Sequence, residues 1–218
     1  MKSNEDLQKD VQNAIKWEPL LNAAEIGVTA KDGVVTLSGI VDSYSKKLEA
    51  ESATKSVTGV KAVVEKIEIK FGSSWNKNDN EIATEVLNAF KFNWEVPSDK
   101  VKVNVENGWV TLEGELEWNY QKEAAKKAIS TLMGVKGVSN NITIKSETHD
   151  AIEKDDIEYA LERNSSTDDE GISVKVSGNK VILNGTVHSF YQRDEAERIA
   201  WNAPGVWNVD NQLVIEYD

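Results

Sequence analysis

Two histidines, 37 carboxylates and no cysteine are the reactive groups of this 218-residue chain. The missing thiols exclude disulfides, thiolate metal sites and cysteine nucleophiles together. His149 falls in a linker and His188 beside a strand end. Neither has a counterpart elsewhere in the chain, and neither is expected to act as general base or metal ligand. With so many acids on one surface, neighbouring carboxylates arise by accident. No glycine-rich phosphate loop, HExxH or GxSxG is present. Thr167-Asp168-Asp169-Glu170-Gly171 has the charge to collect a divalent cation. It lacks the spaced oxygen ligands of a calcium loop and reads as a solvated loop. No catalytic residue, cofactor or metal is expected.

The elements that must position any functional group come in triplicate. Gly33-Val-Val-Thr-Leu-Ser-Gly39 recurs as Gly108-Trp-Val-Thr-Leu-Glu-Gly114 and as Asn179-Lys-Val-Ile-Leu-Asn-Gly185. An aromatic follows each: Tyr44, Tyr120 and Tyr191. Then come Gly59-Val60, Gly134-Val135 and Gly205-Val206, and the alternating ends Ile67-Glu-Ile69, Ile142-Thr-Ile144 and Leu213-Val-Ile215. Internal repetition of this kind sets the fold before anything else does. The copies fall at 1–71, 77–145 and 150–218.

Each copy opens with a helical stripe: Leu7, Val11, Ala14 and Ile15, then Ile82, Val86, Ala89 and Phe90. The third keeps only Ile157 and Leu161, which predicts a shorter helix. A hairpin follows, turning at Asp32-Gly33, Asn107-Gly108 and Gly178-Asn179, residues that tolerate positive φ. A second helix places Ala50, Ala53, Thr54 and Val57 on one face. Its counterparts are Ala125, Ala128, Ile129 and Leu132, then Ala196, Ile199, Ala200 and Ala203. Gly39, Gly114 and Gly185 lie on the inward face of the return strand, where a missing side chain marks close approach of another backbone, expected to be the second helix. The fold class is α+β: three α-β-β-α-β units, each a three-stranded sheet with two helices on one face.

This order, with V-x-L-x-G on the return strand and a late Gly-Val before the last strand, resembles the BON domain (bacterial OsmY and nodulation) over nearly the whole chain. It is similar to signal-less bacterial proteins with three tandem BON domains. The resemblance implies attachment to phospholipid or envelope components, a link to osmotic stress or transport, and no catalysis. The family glycine matches Gly39, Gly114 and Gly185, which are fold residues.

Seven tryptophans are many for a non-enzyme of this size. Trp17-Glu18-Pro19 and Trp94-Glu95-Val96-Pro97 sit just past the first helix of copies one and two. The favoured reading is a core plug at the helix end; the alternative is an anchor at an apolar–wet boundary. Trp109 points outward where the other copies have Val34 and Lys180, and packing between copies is its expected partner. Trp118 and Tyr120 open helix two. Trp17, Trp94, Trp109, Trp118 and Tyr120 are the candidate contacts for lipid or a protein partner.

With 28% charged and 39% hydrophobic residues, the chain has the composition of neither a disordered tail nor a membrane protein. No apolar run reaches the ~18 residues of a transmembrane helix. Met1-Lys2-Ser3-Asn4-Glu5-Asp6 lacks a signal-peptide stretch, so a cytoplasmic location is expected if Met1 is the native start, and a periplasmic one if the chain was trimmed. A net charge of −12 argues against nucleic acid. Residues 1–75 carry −1, residues 76–147 −2 and residues 148–218 −9. Anionic lipid would therefore face copies one and two, with copy three turned away. The expected function is non-enzymatic binding of phospholipid or an envelope component; the alternative is a cytoplasmic protein–protein adaptor.

Overall fold

The computed structural model describes residues 2–72, 77–145, 152, 154–164, 167 and 171–216. The first repeat comprises α1 (Asn4–Trp17), β1 (Ile26–Lys31), β2 (Val34–Val41), α2 (Tyr44–Lys55) and β3 (Ala62–Ile69). The second comprises α3 (Asp79–Phe92), β4 (Val101–Glu106), β5 (Trp109–Leu116), α4 (Asn119–Ser130) and β6 (Gly137–Ile144). The third comprises α5 (Lys154–Glu162), β7 (Ile172–Ser177), β8 (Lys180–Val187), α6 (Phe190–Trp201) and β9 (Asn208–Ile215). Each repeat forms its own three-stranded sheet with the return strand in the middle. In repeats two and three that strand pairs antiparallel with its hairpin partner and parallel with the last strand. A parallel neighbour requires a crossover, and the second helix supplies it.

Local chemistry accounts for the boundaries. Ser3 caps α1 by accepting the Asp6 N–H at 3.1 Å. Asn78 and Glu81 close a reciprocal capping box on α3, at 3.0 and 2.8 Å. α5 has nine residues against fourteen in α1 and α3. Asp32-Gly33 and Asn107-Gly108 both take positive φ, as a two-residue turn matched to strand twist demands. Gly178 does so alone, with Asn179 at negative φ, and so makes the alternative primed turn.

The core of each repeat lies between the sheet's inward face and the two helices. Val35, Leu37 and Val41 are buried, as are Val110, Leu112 and Leu116, and Val181, Leu183 and Val187. The helical stripes Leu7–Val11–Ile15 and Ile82–Val86–Phe90 meet them. Each buried aliphatic side chain contributes roughly 1.5–3 kcal/mol relative to exposure. Thr54, the polar member of its helix face, is fully buried and satisfies its hydroxyl on the Ala50 carbonyl at 2.7 Å. Asn140 and Asn211 occupy the same place on their last strands. Their side-chain amides donate to the helix carbonyls of Lys122 (2.8 Å) and Arg193 (3.0 Å), fastening the second helix to the sheet.

Two expectations need correction. The backbone that approaches Gly39, Gly114 and Gly185 is not the second helix. All three have positive φ, and a Cβ on each would run into the carbonyl of Glu25, Lys100 or Gly171, at the entrance to the first strand. The glycine lets the hairpin's open end close, because β1, β4 and β7 begin directly opposite it. Tyr44 is also not the counterpart of Tyr120 and Tyr191. It is the first residue of its helix, whereas they are second in theirs. One residue is ~100° of helix rotation, so Tyr44 is buried while Tyr120 and Tyr191 are exposed.

Candidate functional site

The first helices of repeats one and two run from Asn4 to Trp17 and from Asp79 to Phe92, both fourteen residues long. Trp17 therefore matches Phe92, and Trp94 lies two positions further on. Each helix stops at the next residue. Glu18 is extended (ψ 114°) ahead of Pro19, which disfavours helix before it, and Asn93 is extended in the same way (ψ 108°). Trp17 follows buried Ile15 by two residues, and Phe92 follows buried Phe90 likewise. Two residues are ~200° of rotation, which turns both aromatics away from the core.

They are accordingly bare. Trp17 is 87% exposed, Phe92 85% and Trp94 88%. This overturns the core-plug reading. The chain closes its helix ends with later residues: the Val96 N–H bonds the Asn93 carbonyl at 3.1 Å, and the Leu21 N–H bonds the Glu18 carbonyl at 3.1 Å. Val96 is buried and Leu21 half-buried. An exposed lysine precedes each terminal aromatic, Lys16 before Trp17 and Lys91 before Phe92. Leu20 adds exposed apolar surface in repeat one. The Glu49 carboxyl, next to Glu18 just past α1, is pushed above its ordinary value by partial burial, then by the Glu18 carboxylate. Sequence reading missed Phe92 because it aligned Trp with Trp. Counting from the first strand finds it, since Trp17 and Phe92 each stand nine residues ahead of Ile26 and Val101.

The other candidates are placed differently. Trp109 is half-exposed on the outer sheet face and finds its partners in its own repeat. Its Nε1 donates to Ser139 Oγ at 2.9 Å, and its ring covers Gly137, opposite it on β6, where a side chain would collide with the indole. In repeat three the positions of Trp109 and Ser139 hold Lys180 and Asp210, joined at 2.7 Å. Trp118 is half-buried at the start of α4, its N–H bonded to Gln121 Oε1 at 3.2 Å, and Tyr120 is half-exposed. His188 is exposed, with Nδ1 3.3 Å from the Glu216 carbonyl. His149 and Asp168-Asp169-Glu170 lie outside the described residues. Among the described residues no group of three His, Asp or Glu side chains is arranged to hold a metal ion, and no helix is long and apolar enough to cross a membrane.

The BON domain family model matches residues 3–70, 78–146 and 149–217. The chain belongs to the BON domain family. It is 30% identical to osmotically-inducible protein Y of Escherichia coli over 129 residues, which are 57% of this chain and 64% of that protein. The chain thus spans less than two thirds of this curated relative's length. Solved structures of CdsD, a structural protein of the type III secretion system of Chlamydia trachomatis, and of its C-terminal domain align over 98% and 99% of this chain. The alignments cover 93% and 100% of those chains, at 16% identity and TM-scores of 0.24 and 0.25.

Within this three-BON chain the exposed lysine–aromatic pair belongs to repeats one and two. The third BON repeat has Glu162-Arg163 at the corresponding positions, nine residues ahead of Ile172.

Proposed function

We propose that this is a non-enzymatic, stress-related BON protein that attaches to anionic phospholipid surfaces through the first-helix ends of repeats one and two. The observation that carries this reading is the pair of bare aromatics, Trp17 and Phe92, at one position of the repeat, each beside an exposed lysine. Large aromatics standing free of their own core suit the boundary between headgroups and acyl chains. Each nearby lysine adds roughly 1 kcal/mol of attraction to an anionic leaflet. Repeat three, at −9, is repelled by the same surface. Attachment is interfacial, by insertion of side chains. The stress role is supported by the likeness to osmotically-inducible protein Y.

Flotation of the full chain with phosphatidylcholine vesicles, with and without phosphatidylglycerol, tests this. Binding is expected only with the anionic lipid, weakening as salt rises. The triple variant Trp17→Ser, Phe92→Ser, Trp94→Ser is expected to stay folded and fail to float. Undiminished flotation of that variant, or absence of flotation by the parent chain, overturns the reading. The second outcome leaves the aromatics to a protein partner.

A further inference from the structure

All three arginines of the chain lie in its most acidic repeat. Two of them, Arg163 and Arg198, border a groove of about 500 Å3 between α5 and α6. Ile157, Ala160 and Ile199 give the groove an apolar lining. The two cations are not equivalent. Arg198 is already answered: its guanidinium closes on both oxygens of Glu195 at 2.6 and 2.8 Å, and Asn164 donates to the same carboxylate at 3.0 Å. Arg163 has no carboxylate partner among the described residues. It is exposed and lies over the Tyr159 ring, 5.6 Å from its centroid. At the other end stands Asp156, seven residues earlier and about 10 Å back along the helix direction.

We propose that this groove binds a monoanionic head carried on a short unbranched apolar chain. Arg163 takes the head, and the chain lies over Ile157, Ala160 and Ile199. A single guanidinium with no carboxylate partner among the described residues matches a single negative charge, as carboxylate or phosphate diester. The carboxylate of Asp156 repels a second charge at the far end and limits the chain to the length between. An apolar floor with a few convergent polar groups is the usual make-up of a small-molecule site. The site belongs to repeat three alone. Its cationic residue stands where repeats one and two expose Trp17 and Phe92, so it is independent of the lipid-surface reading.

Calorimetric titration of the full chain with octanoate, kept below its micelle concentration, tests the proposal. Acetate and inorganic phosphate serve as heads without chain, and octyltrimethylammonium as a chain with the opposite charge. Octanoate is expected to bind and the other three to bind far more weakly. Arg163→Gln, an exposed position that leaves the core untouched, is expected to weaken octanoate about tenfold or more. Ala160→Phe, which fills the groove, is expected to abolish binding. Trp17→Ser with Phe92→Ser is expected to leave it unchanged. The proposal is overturned if octanoate does not bind, or if Arg163→Gln binds it as tightly as the parent chain. It is equally overturned if octyltrimethylammonium or inorganic phosphate matches octanoate, or if the aromatic variants abolish binding.

Discussion

Asp79, the first residue of α3, receives the backbone N–H of Asn107 on one carboxylate oxygen at 2.8 Å and that of Gly108 on the other at 2.9 Å. One side chain thereby fastens a helix start to the hairpin turn. Asn4 holds the same position in repeat one and accepts a single N–H, from Asp32, at 2.8 Å. A hydrogen bond to a charged group contributes about 1.5–3 kcal/mol and a neutral one about 0.5–1.5 kcal/mol. Asp79→Ala is therefore expected to destabilise repeat two more than Asn4→Ala destabilises repeat one. Hydrogen exchange resolved by repeat checks this, and equal losses in the two repeats would contradict it.

Gly114 combines a φ of +150° with a Lys100 carbonyl that occupies the space of a would-be Cβ. The obstacle is backbone at the first residue pair of the ladder, where Val101 faces Gly114, so no side-chain rotation relieves it. Gly114→Ala is expected to cost about 2–3 kcal/mol through strain alone. Gly178→Ala is milder, since a Cβ there meets nothing within 4 Å and only the turn's φ of +59° resists. Thermal melts of the two variants are expected to rank in that order.

Leu112 is fully buried in the central strand of repeat two. A domain of this size has only ~3–5 kcal/mol of stability, and truncating a buried leucine costs about 2–5 kcal/mol. Leu112→Ala is expected to unfold or nearly unfold repeat two. Hydrogen exchange across 101–144 reads this directly, and protection equal to the parent chain would show that the neighbouring packing carries the repeat without it.

How far the letters carry can be seen at these same positions. Period-two and period-3.6 patterns placed the hairpins and most of each helix face, because burial on one side writes itself into alternation. They failed at Val57, Leu132 and Ala203, read as the last members of the second-helix face, which lie past the ends of α2, α4 and α6. Gly39, Gly114 and Gly185 were legible as positions where a side chain is forbidden. What forbids it was not legible, since the carbonyls of Glu25, Lys100 and Gly171 lie in stretches with no shared residue type. Trp17 and Trp94 were legible as a shared aromatic feature but not as exposed. Trp resembles core by composition; the ~200° step from Ile15 reveals the outward direction of Trp17, and Trp94 lies past the end of α3, where no helical step applies. Phe92 was hidden by the better letter match two residues away. The cross-links from Asn140 and Asn211 to helix carbonyls join groups 18 residues apart, and no local periodicity records them.

Glu49 sets the pH response expected of repeat one. Its carboxyl is raised above the ordinary 4.5 by partial burial and by Glu18 beside it. A carboxyl with a folded pKa above its unfolded value binds its proton more tightly in the folded chain. The stability it contributes is full below about pH 4.5 and is lost as pH rises through the folded value. At neutral pH the ionised pair works against the fold. Glu49→Gln removes that repulsion while keeping the shape of the side chain, so it is expected to raise the melting temperature of repeat one at pH 7. The advantage should vanish near pH 4, where the parent residue is protonated as well. Melting curves of both chains across that range decide it. A gain independent of pH would assign the effect to packing, and a loss at pH 7 would mean that the Glu49 carboxylate has a stabilising partner stronger than Glu18 is repulsive.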